Sequence, residues 1–332
     1  MRSILNTTLL LAVMMLGTLM ANAYDFQAGG IYYTVNTGGN SVTVTSGDNN
    51  FRYSGSVNIP ATVTNDGKQY NVTAIDSYAF NKCNELESVT LGSKIKSIGS
   101  NAFQYCTALK AVAVPNSTEE MGIYAFADCS NLKSITLGTS LKEIPAHAFL
   151  GAPVTSLTIP GNVETIGSDA FNGCSHLTQL TIEEGVVNIN STAFNGCSTL
   201  PVVVIPNTVK TIDSYAFYKC SELEELTLGS KVRSIGFNAF QYCNELKTIT
   251  SRNEEAPVMG SDNCFSVYQT AKLYIPIGSK NSYDSTNYWN KFTTVIEKKM
   301  DNSGAPVVGD VTGDGVVNIS DINFIINIIL KN

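Results

Sequence analysis

Residues 220–240 read Cys220-Ser-Glu-Leu223-Glu-Glu-Leu226-Thr-Leu228-Gly229-Ser-Lys-Val232-Arg-Ser-Ile235-Gly236-Phe-Asn-Ala239-Phe240. Leu226 and Leu228 alternate with polar residues, the period-2 pattern of a half-buried strand, and Gly229 then turns the chain. The same unit recurs along most of the sequence. Phenylalanine stands at 80, 103, 126, 149, 171, 194, 217 and 240, with spacings of 23 except one of 22, and alanine precedes each. Five residues before each Phe is an isoleucine (Ile75 to Ile235) or, once, Met121. One such unit has a single layer and cannot bury its apolar face. Stacked copies can, because each covers the edge of its neighbour. The fold expected is therefore a β-rich solenoid of about eight 23-residue rungs, and at about 4.8 Å per rung the rod is roughly 40 Å long.

Composition agrees with a rod better than with the two globular domains that 332 residues would otherwise suggest. Apolar residues make up 43% and charged residues only 15%, so the surface is built from Ser, Thr, Asn and Gly. The formal charge of −7 removes the basic footprint that a nucleic-acid partner requires. Two histidines leave little room for a His-rich metal site or a His-dependent active site. His147 and His176 stand in different columns of the repeat, and no phosphate-cradling glycine loop is present, so the chain reads as a non-enzyme.

Periods of 20–29 residues with a Leu-x-x-Leu-x-Leu strand carry the leucine-rich-repeat signature. In detail, Cys-x-x-Leu-x-x-Ile-x-Leu-Gly/Pro-x-x-Val-x-x-Ile-Gly-x-x-Ala-Phe resembles the BspA-like leucine-rich repeats of exported and surface proteins of bacteria. The resemblance covers roughly residues 50–299 and implies a right-handed superhelix and an adhesion role. The stretch Leu273-Tyr-Ile-Pro-Ile-Gly-Ser-Lys with Tyr283, Trp289 and Phe292 is similar to that family's C-terminal cap. The organisation expected is a signal peptide at 1–23, a β-rich N-terminal cap at 24–72, the solenoid at 73–250 and a C-terminal cap at 251–299. A linker at 300–308 then leads to a separate tail at 309–332.

Cys83, Cys106, Cys129, Cys174, Cys197, Cys220 and Cys243 each lie three residues after the repeat Phe. Parallel side chains on successive rungs do not naturally offer the crossed geometry of a disulfide, so the column reads as a buried ladder of thiols, with disulfides between adjacent rungs of an exported chain as the alternative. The 22-residue rung has Ala152 there, and Cys264 falls outside the column. Thr90, Thr136, Thr158, Thr181, Thr227 and Thr250, with Ala113 and Val204, form an outward strand column. β-Branching alone accounts for such a column; its functional reading is a flat, weakly charged recognition face.

The first 23 residues have a short positive start, an apolar run from Leu9 to Met20 and Ala21-Asn-Ala23, the pattern of a cleaved secretory signal. A secreted or cell-surface protein with no membrane span after cleavage is expected. In the tail, Asp310, Thr312, Asp314, Asn318 and Asp321 fall at positions 1, 3, 5, 9 and 12 of an EF-hand-like loop, with Gly315 at 6 and the Val316 carbonyl at 7. With the apolar run Ile322–Leu330 behind it, the segment resembles one type I dockerin repeat. The resemblance implies that these six residues hold Ca²⁺, and dockerins pair two such repeats where this chain has one. The leading reading is a non-catalytic binding or adhesion protein with an extracellular protein ligand, a host matrix or bacterial surface protein, tethered by its calcium-binding tail. The alternative is a structural subunit of an extracellular multi-enzyme assembly that meets a cohesin-like partner through the tail.

Overall fold

A computed structural model describes residues 24–47 and 52–300. The chain coils into a β-solenoid whose rungs carry strands on two faces. On the first face lie the longer strands that end each Leu-x-x-Leu unit. Ser156–Ile159 pairs in parallel with Gln179–Ile182, and Val202–Val204, Glu225–Leu228, Thr248–Ser251, Lys272–Pro276 and Thr294–Lys298 form one five-stranded sheet. The second face carries two-residue strands ending at the repeat isoleucine. Glu143–Ile144, Thr165–Ile166, Asn188–Ile189, Thr211–Ile212 and Ser234–Ile235 pair in register, followed by Val258–Met259.

Identical phase makes each apolar position a buried column. The repeat phenylalanines are fully buried, and their rings stack along the axis at centroid distances of 4.7–5.5 Å. The stack is longer than eight. Phe265 continues it, lying 5.3 Å from Phe240 with planes 3° apart, and Tyr53 closes the other end at 4.3 Å from Phe80. The solenoid therefore has about ten turns rather than eight. Phe265 follows Phe240 by 25 residues, and its neighbour in the alanine column is Cys264. The Cys264 carbonyl accepts the Phe240 N–H at 2.9 Å, as Ala239 does for Phe217 at 2.8 Å, so Cys264 is a member of the alanine column and not a stray thiol.

Between the faces the chain turns around each Phe with a regular division of donors. In the first full rung the N–H groups of Tyr78, Phe80 and Lys82 donate to Ser100, Ala102 and Gln104 of the next rung, at 2.7–3.0 Å. Those of Ala79, Asn81 and Cys83 close local turns onto Asp76, Tyr78 and Phe80. Backbone polar groups in a buried turn must be paired, and this alternation pairs them. It also places the residues two before and two after the Phe in left-handed backbone, with φ between 56° and 76° in all eight rungs. Elsewhere the rungs touch so closely that side chains are excluded. A Cβ on Gly138 or Gly229 would fall on the carbonyl oxygen of Pro115 or Pro206 in the preceding rung.

An N-terminal meander, Phe26–Ala28, Ile31–Val35 and Ser41–Thr45, is antiparallel and joins the solenoid through Lys68–Ile75. At the other end a short helix, Lys280–Ser285, brings Tyr283 over the core beside Trp289 and Phe292, all three buried. Trp289 Nε1 donates to Pro257 O at 2.7 Å, and the Tyr283 hydroxyl reaches Ser251 Oγ at 2.6 Å. An uncovered solenoid end would expose an apolar edge, and these rings cover it.

Candidate recognition surfaces

The first strand face presents two outward columns. In one, Thr158 stands beside Thr181, and Thr227 beside Thr250; register then continues to Tyr274 and Ile296. From Ala113 to Thr181 the column is exposed, and Val204 and Ile296 are each 36% exposed. The threonine column thus faces outward as the alternation requires, with Thr227, Thr250 and Tyr274 half-buried. Its last two members, an aromatic and an aliphatic, lay beyond the recognisable repeat. Lys298 Nζ sits 4.6 Å from the Tyr274 ring centroid, a cation–π contact at the end of the face. In the other column Glu225 is half-buried, and burial followed by Glu224 raises its carboxyl above the usual range against the pull of Lys247 and Lys298. Ion pairs between rungs, Lys110 with Glu87 at 2.8 Å and Lys247 with Glu224 at 3.0 Å, lie at the start of the strands and are solvated. Solvent screens such pairs, so this edge is a surface more than a brace.

A second surface runs along the turns that flank the phenylalanine stack. The left-handed positions there carry Tyr78, Tyr105, Tyr124, Tyr215 and Tyr242 alongside Asn, Asp, Lys and Gly. Tyr124 stacks face to face on His147, with centroids 4.3 Å apart. His147 Nδ1 is 3.9 Å from Asp169 Oδ2, beyond hydrogen-bond range, and has no hydrogen-bond partner. His176 is exposed on another turn, with Ser175 Oγ 3.4 Å from its Nδ1. The two histidines belong to separate columns, as their phases in the repeat require.

The thiol column is buried and free throughout. Each thiol also has a polar role that the repeat alone did not reveal. Cys106, Cys129, Cys197, Cys220 and Cys243 donate to the carbonyl of the Phe in the rung before, at 3.1–3.5 Å, and Cys174 approaches Phe149 O at 3.6 Å. Burial pushes Cys174 up to about 12 and raises Cys197 and Cys220 well above the usual thiol value. A thiol held protonated is neither a nucleophile nor a metal ligand at neutral pH. Acidic pairs are structural too. The Glu184 carboxylate accepts the Asn207 and Thr208 N–H groups at 2.9 and 3.0 Å, and Glu183 accepts that of Gly161 at 2.9 Å. Among the described residues no group of three or more His, Cys, Asp or Glu is placed to hold a metal ion. The calcium-loop residues Asp310, Thr312, Asp314, Val316, Asn318 and Asp321 lie outside the described residues, as does the signal segment 1–23. No helix among the described residues is long and apolar enough to cross a membrane.

Comparison with known proteins gives the same architecture. A family model described as BspA type leucine rich repeat region matches residues 53–178 and 164–292. A leucine-rich repeat protein from Bacteroides ovatus superposes with a TM-score of 0.64 at 26% identity, over 83% of this chain and 77% of that one. The leucine-rich repeat protein of T. pallidum superposes with a TM-score of 0.50 at 25% identity, over 67% of this chain and 90% of that one. No curated protein sequence matches the chain.

Proposed function

Since the chain belongs to the BspA-type leucine-rich repeat family, we propose that it is a non-catalytic protein-binding scaffold of the cell surface or extracellular space, with the first strand face as its recognition surface. The outward columns carry this reading. They run in register from Thr158 to Thr181 and from Val204 to Ile296, are weakly charged, and end in the Tyr274–Lys298 pair. Threonines, a tyrosine and exposed aliphatics over a rigid sheet offer area with little side-chain entropy to lose on binding. The partner proposed is an extracellular protein, of host matrix or bacterial surface origin. The test is surface plasmon resonance of the full chain against such proteins, with Thr181→Arg and Tyr274→Ala as variants. Either substitution should weaken binding about tenfold, the scale of one interface contact of about 1.4 kcal/mol. Binding that neither substitution changes would move the recognition surface elsewhere.

The tail is proposed as a calcium-dependent tether. Oxygen donors at Asp310, Thr312, Asp314, Asn318 and Asp321, with the Val316 carbonyl, suit a hard cation that takes six to eight oxygens. Calorimetry with Ca²⁺ should give a binding heat that Asp310→Ala abolishes; no heat with the natural sequence ends the proposal. The dockerin-like spacing also favours a second reading, a structural subunit recruited through a cohesin-like partner. Deleting residues 309–332 tests both tethering and recruitment, because either role requires the protein to be lost from the surface or from the assembly.

A further inference from the structure

One corner of the turn edge gathers aromatic side chains beside a recess. At the position two after the Phe, three successive rungs carry Gly151, Gly173 and Gly196 at φ 71–76°, the residue such backbone favours. The next two rungs carry Lys219 and Tyr242 at φ 59° and 63°. A non-glycine residue in this region costs about 1–2 kcal/mol. Tyr215, on the other left-handed column at φ 60°, bears the same cost. Both rings stand partly in solvent, Tyr215 at 39% and Tyr242 at 45% exposed, presented outward from turns whose conformation the pairing between rungs sets.

The rings are organised among themselves. Tyr218 lies 5.3 Å from Tyr215 and 5.3 Å from Tyr242, edge to face with each, and Lys219 Nζ is 5.3 Å above Tyr218. The result is a rigid aromatic strip across two rungs. Beside it, where the glycine run steps up to Lys219 and Tyr242, a recess of about 450 Å³ is lined by Gly196, Ser198, Ser221 and Asn244 as well as those two residues.

The chemistry of a ligand follows from what this corner offers. The turn N–H groups of Tyr215 and Lys219 already pair with Phe237 O and Gln241 O of the next rung, and that of Tyr242 with Ser266 Oγ. These three donors are therefore not free to pair with an added strand. The corner offers instead the rings of Tyr215 and Tyr242 together with hydroxyl, amide and ammonium groups. A pyranose ring matches that set, with an apolar C–H face for stacking and a rim of hydroxyls that both donate and accept. We propose that Tyr215, Tyr218 and Tyr242, with the recess between Gly196 and Asn244, form an oligosaccharide-binding site. It lies on the turns and not on the strand face, so it stands apart from the protein-binding reading above.

The test is to probe the full chain on a printed array of plant, mucin and microbial glycans, and to titrate the strongest glycan into the protein by calorimetry. Tyr242→Gly and Tyr215→Asn should each weaken binding about tenfold or more, on the scale of one lost aromatic stack. Because both replacements suit left-handed backbone, their melting temperatures should equal or exceed that of the parent. Tyr78→Asn, in the same column at the far end of the rod, should leave binding unchanged. The proposal is overturned by an array without signal, or by binding that survives Tyr242→Gly. A melting temperature that falls in Tyr242→Gly overturns it as well, since the ring would then be a structural strut. Displacement of the glycan by a proline-rich peptide would reassign the corner to polypeptide.

Discussion

The thiol of Cys106 lies 3.1 Å from the carbonyl oxygen of Phe80, one rung earlier, and this contact recurs along the rod. The same carbonyl accepts the Cys83 N–H at 3.1 Å within its own rung. A buried carbonyl has two lone pairs, and here the local turn uses one and the neighbouring rung's thiol the other. Cysteine suits the position because it is nearly as apolar as alanine yet carries a weak donor.

Thiol reactivity follows directly. All eight cysteines are buried and unpaired, and burial raises the Cys174, Cys197 and Cys220 thiols above the usual value. A disulfide-exchange reagent such as Ellman's should find no reactive thiol in the folded protein and all eight after denaturation in guanidinium. Prompt labelling of the native chain would show that the column opens to solvent.

Two alanine substitutions measure what a buried thiol contributes. Cys197 is fully buried and donates to Phe171 O at 3.5 Å, so Cys197→Ala removes both a packed sulfur and a donor. A cost of about 1–2 kcal/mol is expected from the cavity and the lost hydrogen bond. Cys264 occupies the alanine column, yet its thiol is also fully buried and donates to Gly236 O at 3.1 Å, so Cys264→Ala should cost a similar amount, about 1–2 kcal/mol. Urea denaturation of the two variants checks this; a variant as stable as the parent would show that its thiol fills space and nothing more.

How far the sequence disclosed these relations depends on the kind of column. Phe, Ile, Leu and Cys are legible because burial forces the same residue into every rung. The left-handed positions are not, since Tyr215, His147, Asp169 and Thr192 share a backbone conformation and no side-chain chemistry. Phe265 and Tyr53 went unseen for a related reason. A loop two residues longer displaced Phe265 from the period, and Tyr53 stands 27 residues before Phe80 and carries a hydroxyl besides, though both still stack on the ring column. The two-residue strands at Ile166 and Ile189 are too short to show any alternation. On the first strand face the threonines were readable, whereas Tyr274 and Ile296 became part of it only through the pairing of Lys272–Pro276 with Thr294–Lys298.

Glycines should divide into two classes by what they face. A Cβ at Gly236 would collide with the backbone of Asp213 and Ser214 in the adjacent rung, and neither strand can move without shifting its neighbours. Gly236→Ala should therefore cost about 2–3 kcal/mol or more, as overpacking in a rigid core does. Gly173 has left-handed backbone, but the nearest atom to its Cβ position is 3.8 Å away. Gly173→Ala meets only the conformational penalty of about 1 kcal/mol. Thermal denaturation of the pair gives the comparison, and a larger loss at Gly173 would contradict it.

The half-buried Glu225 supplies a pH dependence with a definite sign. Its carboxyl is raised above the usual value first by burial and then by Glu224, while Lys247 and Lys298 offset only part of this. A carboxyl raised by folding contributes its full stability below the unfolded value and loses it as pH rises through the folded value. At neutral pH the ionised side chain is therefore a burden on the sheet. Glu225→Gln keeps the shape and removes the charge, so it should raise the melting temperature at about pH 7. The advantage should vanish at about pH 3, where Glu225 is protonated in both states. Melting curves of variant and parent at the two pH values decide the matter. An advantage that persists unchanged in acid would mean that the gain is one of packing, and that Glu225 is not the residue the sheet holds against its charge.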